Sequence, residues 1–159
     1  MGNLKGLGTF LNTTLDFLIA TLFGGIMLLT IFQVLCRFIF FFPAPWVEEF
    51  ISFLFVWMIF MGAAAAQISQ EHTRVELIPL QSGRFFVKSI LTVSDLLILL
   101  FAIIVCFHGF VLVQMTAPMP SLVLKISMGL LYLAAPVGAV VIIGATMSTI
   151  WQRFLPRRL

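Results

Sequence analysis

Charged residues are scarce in this chain: Asp, Glu, Lys and Arg together make up 9% of its 159 residues. Soluble domains carry about 25% charged residues, so an ordinary water-exposed surface is excluded. Hydrophobic residues instead make up 62% of the chain, and its mean hydropathy is +1.17. Lipid must therefore solvate much of the side-chain surface. The nine basic residues form no cluster or stripe, which argues against a nucleic-acid partner.

Cysteine and histidine are also rare, with two residues of each. Cys36 and Cys106 lie in apolar runs and share no CxxC or CxxH spacing, so neither a redox pair nor a zinc site is expected. His72 and His108 are predicted to lie about 30 Å apart in depth, which is too far to bracket one haem iron. No combination of nucleophile, base and orienting residue emerges. We therefore expect no catalytic residues, no cofactor and no metal site in this chain.

Long apolar runs are what the sequence does contain, and they predict an all-α integral membrane protein with four transmembrane helices. Each run is near the roughly 20 residues needed to cross the hydrocarbon core. The connections are short, so we expect one membrane domain over 1–159, folded as a compact four-helix bundle. Pro136 is expected to kink the fourth helix, and Gly138 to allow a close helix approach. The predicted spans are about 17–36, 50–68, 91–113 and 126–150.

Orientation follows from the distribution of Lys and Arg. Seven of the nine fall on one side of the predicted membrane, and only Arg37 and Lys125 fall on the other. The positive-inside rule then places both termini and the middle loop in the cytoplasm. The seven residues are Lys5, Arg74, Arg84, Lys88, Arg153, Arg157 and Arg158.

Two adjacent carboxylates, Glu48 and Glu49, open the second span. Such a pair suggests an ion site or a proton relay. However, successive helical residues point about 100° apart, and acidic residues in a first turn are favoured by the helix dipole. Arg37 ends the first span a short loop away and is a candidate ion-pair partner for either carboxylate. We therefore favour a structural or subunit-interface role for these three residues.

Three further residues are candidates for polar or interface contacts. Asp95 lies about one turn inside the third span, but a coupling-ion site needs more ligands than this one carboxylate. His72 lies in a polar run that suits a solvated turn or a docking surface. Trp57 lies within the second span and is expected to face lipid or a partner chain.

Several short segments stand out in order along the chain: Trp46-Val47-Glu48-Glu49, Val56-Trp57, Gly62-Ala63, His72 with Val75, Lys125-Ile126-Ser127, Tyr132 and Pro136-Val137-Gly138. Their order and spacing resemble one known family, the small membrane subunit of tripartite ATP-independent periplasmic (TRAP) transporters. The length, the four spans and the predicted inward termini agree with that family over the whole chain.

The resemblance implies a multi-pass protein of the bacterial inner membrane that takes part in sodium-coupled import of an organic acid, such as a dicarboxylate, a keto acid or sialic acid. A periplasmic substrate-binding protein would deliver the substrate. A large polytopic membrane subunit would carry the substrate and sodium sites. The small subunit would widen the static scaffold of the large subunit and anchor it in the lipid bilayer.

Besides the scaffold subunit, two other functions remain open from the residues alone. The first alternative is an autonomous small ion-coupled transporter that uses Glu48, Glu49 or Asp95 as its coupling carboxylate. A membrane redox subunit carrying haem or quinone is a third reading, which the depths of the histidines disfavour.

Overall fold

The structure is a computed structural model that describes residues 2–73 and 84–154, with side chains described for 12–69 and 89–151. Four helical stretches in it are long and apolar enough to cross a membrane: Asn12–Phe38, Pro45–Ser69, Ser89–Thr116 and Met128–Trp151. The predicted all-α membrane fold with four spans is therefore confirmed, with bounds that shift by a few residues. The helices are α1 (Gly2–Phe38), α2 (Pro45–Thr73), α3 (Arg84–Thr116), α4 (Met128–Tyr132) and α5 (Ala134–Phe154).

The fourth span is interrupted at Leu133, between α4 and α5, as the proline in this region predicted. Pro136 has no N–H and its ring crowds the carbonyl four residues earlier, so the regular ladder fails just before it. Leu133 itself keeps a right-handed helical backbone, with φ −63° and ψ −23°. Backbone bonds from Leu133 N to Gly129 O and from Val137 N to Leu133 O bridge the interruption. The result is one span with a local interruption of its hydrogen-bond ladder rather than two separate helices.

The four spans pack in a row rather than as a closed bundle. Among the described residues, α1 contacts α2, α2 contacts α5, and α5 contacts α3, while α1 makes no close backbone contact with α3 or α5. The helices α2 and α3 also make none with each other, so α5 separates them. The expectation of a compact four-helix bundle is therefore wrong. Short connections restrict which helices can be neighbours, but they do not force the row to close.

A row of helices has two broad faces, and both are apolar here. The buried core is thin: one cluster joins Leu15, Met61 and Ala65, and a second joins Cys36, Ala44 and Val47. In the α1 span none of the most apolar stretch is buried, against 28% in the fourth span. Large side chains such as Phe17 and Phe107 therefore remain exposed, as contact with lipid or another protein permits.

Two glycines in the membrane set the distances between neighbouring helices. A Cβ built on Gly138 of α5 would lie 2.9 Å from Cβ and 3.0 Å from the carbonyl oxygen of Phe60 in α2. A Cβ on Gly109 of α3 would lie 3.1 Å from Cδ of Pro136. Both helices that flank α5 therefore approach it at glycine contacts, as small residues in membrane helices allow. Gly138 was predicted from the sequence, whereas Gly109 was not.

Candidate functional site: the seam between α2 and the fourth span

The loop that joins α3 to α4 folds back on itself as a narrow turn. Ser121 N donates to Ile126 O at 2.8 Å, and Met128 N donates to Met119 O at 2.9 Å. Lys125 adopts a left-handed backbone, with φ 57°, which reverses the chain at the end of the turn. The loop therefore holds the N–H groups of residues 122–124 in a fixed arrangement.

Glu49 occupies this turn with its carboxylate. Leu122 N donates to Oε1 at 3.1 Å, Val123 N donates to Oε2 at 3.0 Å, and Leu124 N donates to Oε2 at 2.7 Å. Successive backbone N–H groups in a turn form a concavity that suits an anion, and bonds from N–H groups to a carboxylate are strong. One side chain of α2 thus fixes a loop that lies more than 70 residues further along the chain.

The two carboxylates therefore have different surroundings, as their divergent directions predicted. The Glu49 carboxylate bonds to the loop, whereas Glu48 is exposed beside it. Arg37 lies exposed in the last turn of α1. The hydrogen bonds that Glu49 accepts come from backbone N–H groups. The loop is therefore the observed partner of Glu49, for which the sequence had suggested Arg37.

Trp57 makes the second contact between α2 and the fourth span. Its indole Nε1 donates to the carbonyl oxygen of Leu130 in α4 at 3.2 Å. Its ring also packs against the buried cluster that contains Leu15 and Met61. Trp57 is half-buried, and the polar end of its indole donates to a carbonyl of the same chain next to the helix interruption. Whether its exposed side faces lipid or a partner chain stays a prediction.

Gln67 makes a third contact, which is buried and near the other end of α2. Its Nε2 donates to Oγ1 of Thr146 at 3.2 Å, and that hydroxyl donates to the carbonyl oxygen of Ile142 at 2.8 Å. Sequence reasoning missed this pair. The signal was available, since Glu49 and Gln67 lie five turns apart at 3.6 residues per turn and so share one face of α2.

These contacts define what we call the α2–α5 seam. On α2 it consists of Glu49, Trp57, Phe60 and Gln67, and on the fourth span and its preceding loop it consists of residues 122–124, Leu130, Gly138 and Thr146. Hydrogen bonds lie at both ends of the seam, and the close helix crossing lies between them. The seam is therefore built to hold two spans at a fixed distance and register.

Asp95 lies in the neighbouring interface, between α3 and α5. It is 0% exposed, and it shares one face of α3 with Ala102 and Gly109, which follow at intervals of seven residues and are also buried. Gly109 contacts Pro136, so this face is the one that packs on α5. A buried acidic residue inside a span is costly and commonly functional, which keeps Asp95 a candidate.

Other sequence candidates lie partly or wholly outside the described residues. His72 belongs to the last turns of α2, but its side chain is outside the described set, as are those of Lys5, Arg84, Lys88 and Arg153. The residues Arg74, Val75, Arg157 and Arg158 lie outside it altogether. Among the side chains of 12–69 and 89–151, no group of three or more His, Cys, Asp or Glu is placed to hold a metal ion.

A family model matches residues 26–155 of the chain, and it describes the DctQ component of tripartite ATP-independent periplasmic transporters. The chain belongs to this family. The match extends from the middle of α1 to the end of α5, and it confirms the resemblance seen in the sequence. No individual curated protein matches the chain closely. As a DctQ component, the chain is a small membrane subunit of a TRAP transporter.

Several of the segments that resemble the DctQ family come together along the α2–α5 seam. Glu49, in the first segment, binds the loop just before Lys125-Ile126-Ser127. Trp57 binds Leu130, two residues before Tyr132. Gly138 crosses α2 at Phe60, next to Gly62-Ala63. These short segments are far apart in the sequence, and the fold makes them neighbours across one helix contact.

Proposed function

We propose that this chain is the non-transporting scaffold of a TRAP transporter that imports an organic acid together with sodium. Membership of the DctQ family supports association with a large membrane subunit and a binding protein. The proposal adds that the substrate and sodium sites lie in the large subunit. It also adds that the chain lies in the bacterial inner membrane with both termini in the cytoplasm, which the count of Lys and Arg supports. A dicarboxylate, a keto acid or sialic acid is the expected class of cargo.

The observation that carries this proposal is the engagement of Glu49. A coupling carboxylate must bind and release an ion, and so it needs coordination positions that are open in one state. The Glu49 oxygens instead accept three backbone hydrogen bonds that fix the outer loop. Glu49, the strongest candidate for a coupling carboxylate in the second span, thus has a structural role. The row of helices adds two apolar faces, either of which suits a large hydrophobic partner.

Reconstitution tests the scaffold role directly. The chain is purified alone and also in complex with the large subunit, and both samples are placed in proteoliposomes with a sodium gradient. Uptake of a labelled organic acid is measured with the loaded binding protein present. We expect sodium-dependent uptake by the complex and none by the chain alone. Uptake by the chain alone would show that it is itself a transporter and would overturn the scaffold assignment.

Asp95 is the observation that favours the second candidate, an autonomous ion-coupled transporter. It is fully buried inside a membrane span, where an acidic residue commonly marks an ion path. The substitution Asp95→Asn keeps the side-chain volume and removes the charge. In the scaffold role, the assembled complex should keep its sodium dependence. A changed sodium requirement in a complex that still assembles would favour the second candidate.

A further inference from the structure

The loop between α3 and α4 keeps its shape through hydrogen bonds of its own. Ser127 Oγ donates to Ala117 O at 2.7 Å, and Gly129 N donates to Ser127 Oγ at 3.2 Å. Two backbone bonds close the turn between these contacts. None of these bonds involves α2. The loop therefore holds the N–H groups of 122–124 in their arrangement without help from Glu49.

These three N–H groups and the hydroxyl of Ser121 form what we call the carboxylate cup. Ser121 is 0% exposed, and its hydroxyl lies beside the Glu49 carboxylate. In the described part of the chain, that hydroxyl has no other hydrogen-bond partner. A buried hydroxyl that lacks an acceptor costs free energy, so the carboxylate is the acceptor that this position requires. Residues 117–127 include no acidic residue, and Lys125 adds a positive charge. The carboxylate cup is thus suited to an anion.

The arrangement of donors favours a carboxylate over a simpler anion. One Glu49 oxygen accepts from Leu122 N, and the other accepts from Val123 N and Leu124 N. A planar group with two oxygens accepts from all three at once, which a halide ion cannot do with the same geometry. Leu122 and Val123 are exposed and Glu49 is half-buried. The carboxylate cup is therefore accessible from outside the chain.

We propose that the α3–α4 loop is a binding site for a small carboxylate anion, and that Glu49 is its tethered ligand. Glu49 belongs to a helix that is already packed beside the loop, so it avoids the entropic cost that a free anion pays on association. The wild-type carboxylate cup therefore stays filled by Glu49. When that side chain is shortened, a free carboxylate of matching size takes its place. The inference stands whether or not the chain is the scaffold of a sodium-coupled importer.

Chemical rescue tests the proposal. The substitution Glu49→Ala removes the Cγ methylene and the carboxylate, which together have the size of an acetate ion. The complex with this substitution is isolated from membranes and placed in nanodiscs. Deuterium exchange of the amides of 122–124 is then measured in sodium acetate and in sodium chloride at equal concentration. We expect exchange to be severalfold slower in acetate. Equal exchange in the two salts would show that the loop does not bind a free carboxylate, and the proposal would be wrong.

A second variant tests whether the anion occupies the space that the side chain leaves. Glu49→Gly removes one more methylene than Glu49→Ala and leaves room for propionate. Propionate should therefore slow the exchange of 122–124 more than acetate does in Glu49→Gly, and acetate should be at least as effective as propionate in Glu49→Ala. The same order of the two anions in both variants would place the bound anion elsewhere and would overturn the proposal.

Glu48→Ala is the matched control, since it removes the neighbouring exposed carboxylate and leaves the carboxylate cup filled by Glu49. Exchange of 122–124 should be the same in acetate and in chloride for this variant. A slowing by acetate as large as in Glu49→Ala would be an effect of the salt on the whole protein, and it would count against a specific site.

Thermal unfolding gives a readout that also serves for a destabilised variant. An anion that binds the folded chain raises the unfolding midpoint as its concentration increases. Acetate should raise the midpoint of Glu49→Ala above its value in chloride, and Ser121→Ala in the same background should shift the effect to severalfold higher acetate concentrations. A midpoint of Glu49→Ala that is equal in both salts would contradict the binding site. An unchanged acetate dependence after Ser121→Ala would show that Ser121 is not a donor to the bound anion.

Discussion

Two seams hold α2 in place, and they differ in how they are built. The α2–α5 seam has hydrogen bonds from Glu49, Trp57 and Gln67, together with a glycine crossing between them. The seam between α1 and α2 is mostly apolar. Its described polar contact is the bond from Ser69 Oγ to Asn12 Oδ1 at 3.2 Å, and an aromatic contact joins Phe32 and Trp46.

The difference shows which part of the row is specified most strongly. Apolar side chains gain little by leaving lipid for another apolar surface, so packing and hydrogen bonds decide helix association in a membrane. The α2–α5 seam has both, with directional bonds to specified atoms. Among the described residues, α1 makes close backbone contact with α2 alone. We therefore expect substitutions in the α2–α5 seam to destabilise the fold strongly. Comparable substitutions along α1 should lower the folding stability much less.

The largest effect is expected from Gly138→Ala. The new methyl group would meet the backbone carbonyl oxygen of Phe60 at 3.0 Å, and backbone cannot move aside as a side chain can. Overpacking of this kind costs about 1–3 kcal/mol of folding stability. Thermal unfolding of the purified protein, followed by circular dichroism, should show a lower midpoint. Gly144→Ala is the control on the same helix, because nothing lies within 4 Å of its added Cβ. An unchanged midpoint of thermal unfolding in both variants would contradict the close approach of Gly138 to Phe60.

The next effect, confined to the loop between α3 and α4, is expected from Glu49→Leu. Three backbone N–H groups lose their acceptor, so the amides of 122–124 should exchange with deuterium much faster than in the wild-type chain. Hydrogen exchange with mass spectrometry measures this. Glu48→Leu changes an exposed neighbouring carboxylate and should leave the loop amides protected. Equal protection of these amides in Glu49→Leu and in the wild-type chain would contradict the conclusion that Glu49 holds the loop in place.

A smaller effect is expected from Trp57→Phe, which keeps the aromatic ring and removes the N–H that donates to Leu130 O. Hydrogen bonds between membrane helices contribute about 0.6 kcal/mol on average. We expect a loss of that size in the free energy of unfolding, measured by titration with SDS in mixed micelles. Trp151→Phe serves as control, since Trp151 is exposed near the end of α5. A larger loss at Trp151 would mean that ring contacts, rather than the N–H, account for the change.

The smallest effect is expected in the α1–α2 seam, from Ser69→Ala. This change removes the hydroxyl that donates to Asn12. Both residues are at least partly exposed, so the loss should be within about 0.5 kcal/mol, as for other surface substitutions. The same SDS titration measures it. A loss as large as that of Gly138→Ala would mean that the two seams are equally specified, and the comparison above would be wrong.

Much of the local structure was predictable because its causes are local. The spans followed from the length of apolar runs, and the interruption of the fourth span followed from the missing N–H of Pro136. The role of Gly138 as a close contact followed from its size and its place within a span. The hydrogen-bond partner of Trp57 was harder to predict. It depends on which helices are neighbours, and the pattern of apolar residues around each helix is too uniform to indicate that.

The sequence by itself determined that the chain is helical, that it crosses a membrane four times, and that it resembles the DctQ family. Those properties follow from composition and from short ordered motifs, because backbone polar groups in lipid must be satisfied within each helix. Only the tertiary structure decided the order of helices in the row and the partner of Glu49. That partner is a set of backbone N–H groups, which every residue but proline carries, so no side-chain pattern could have indicated them.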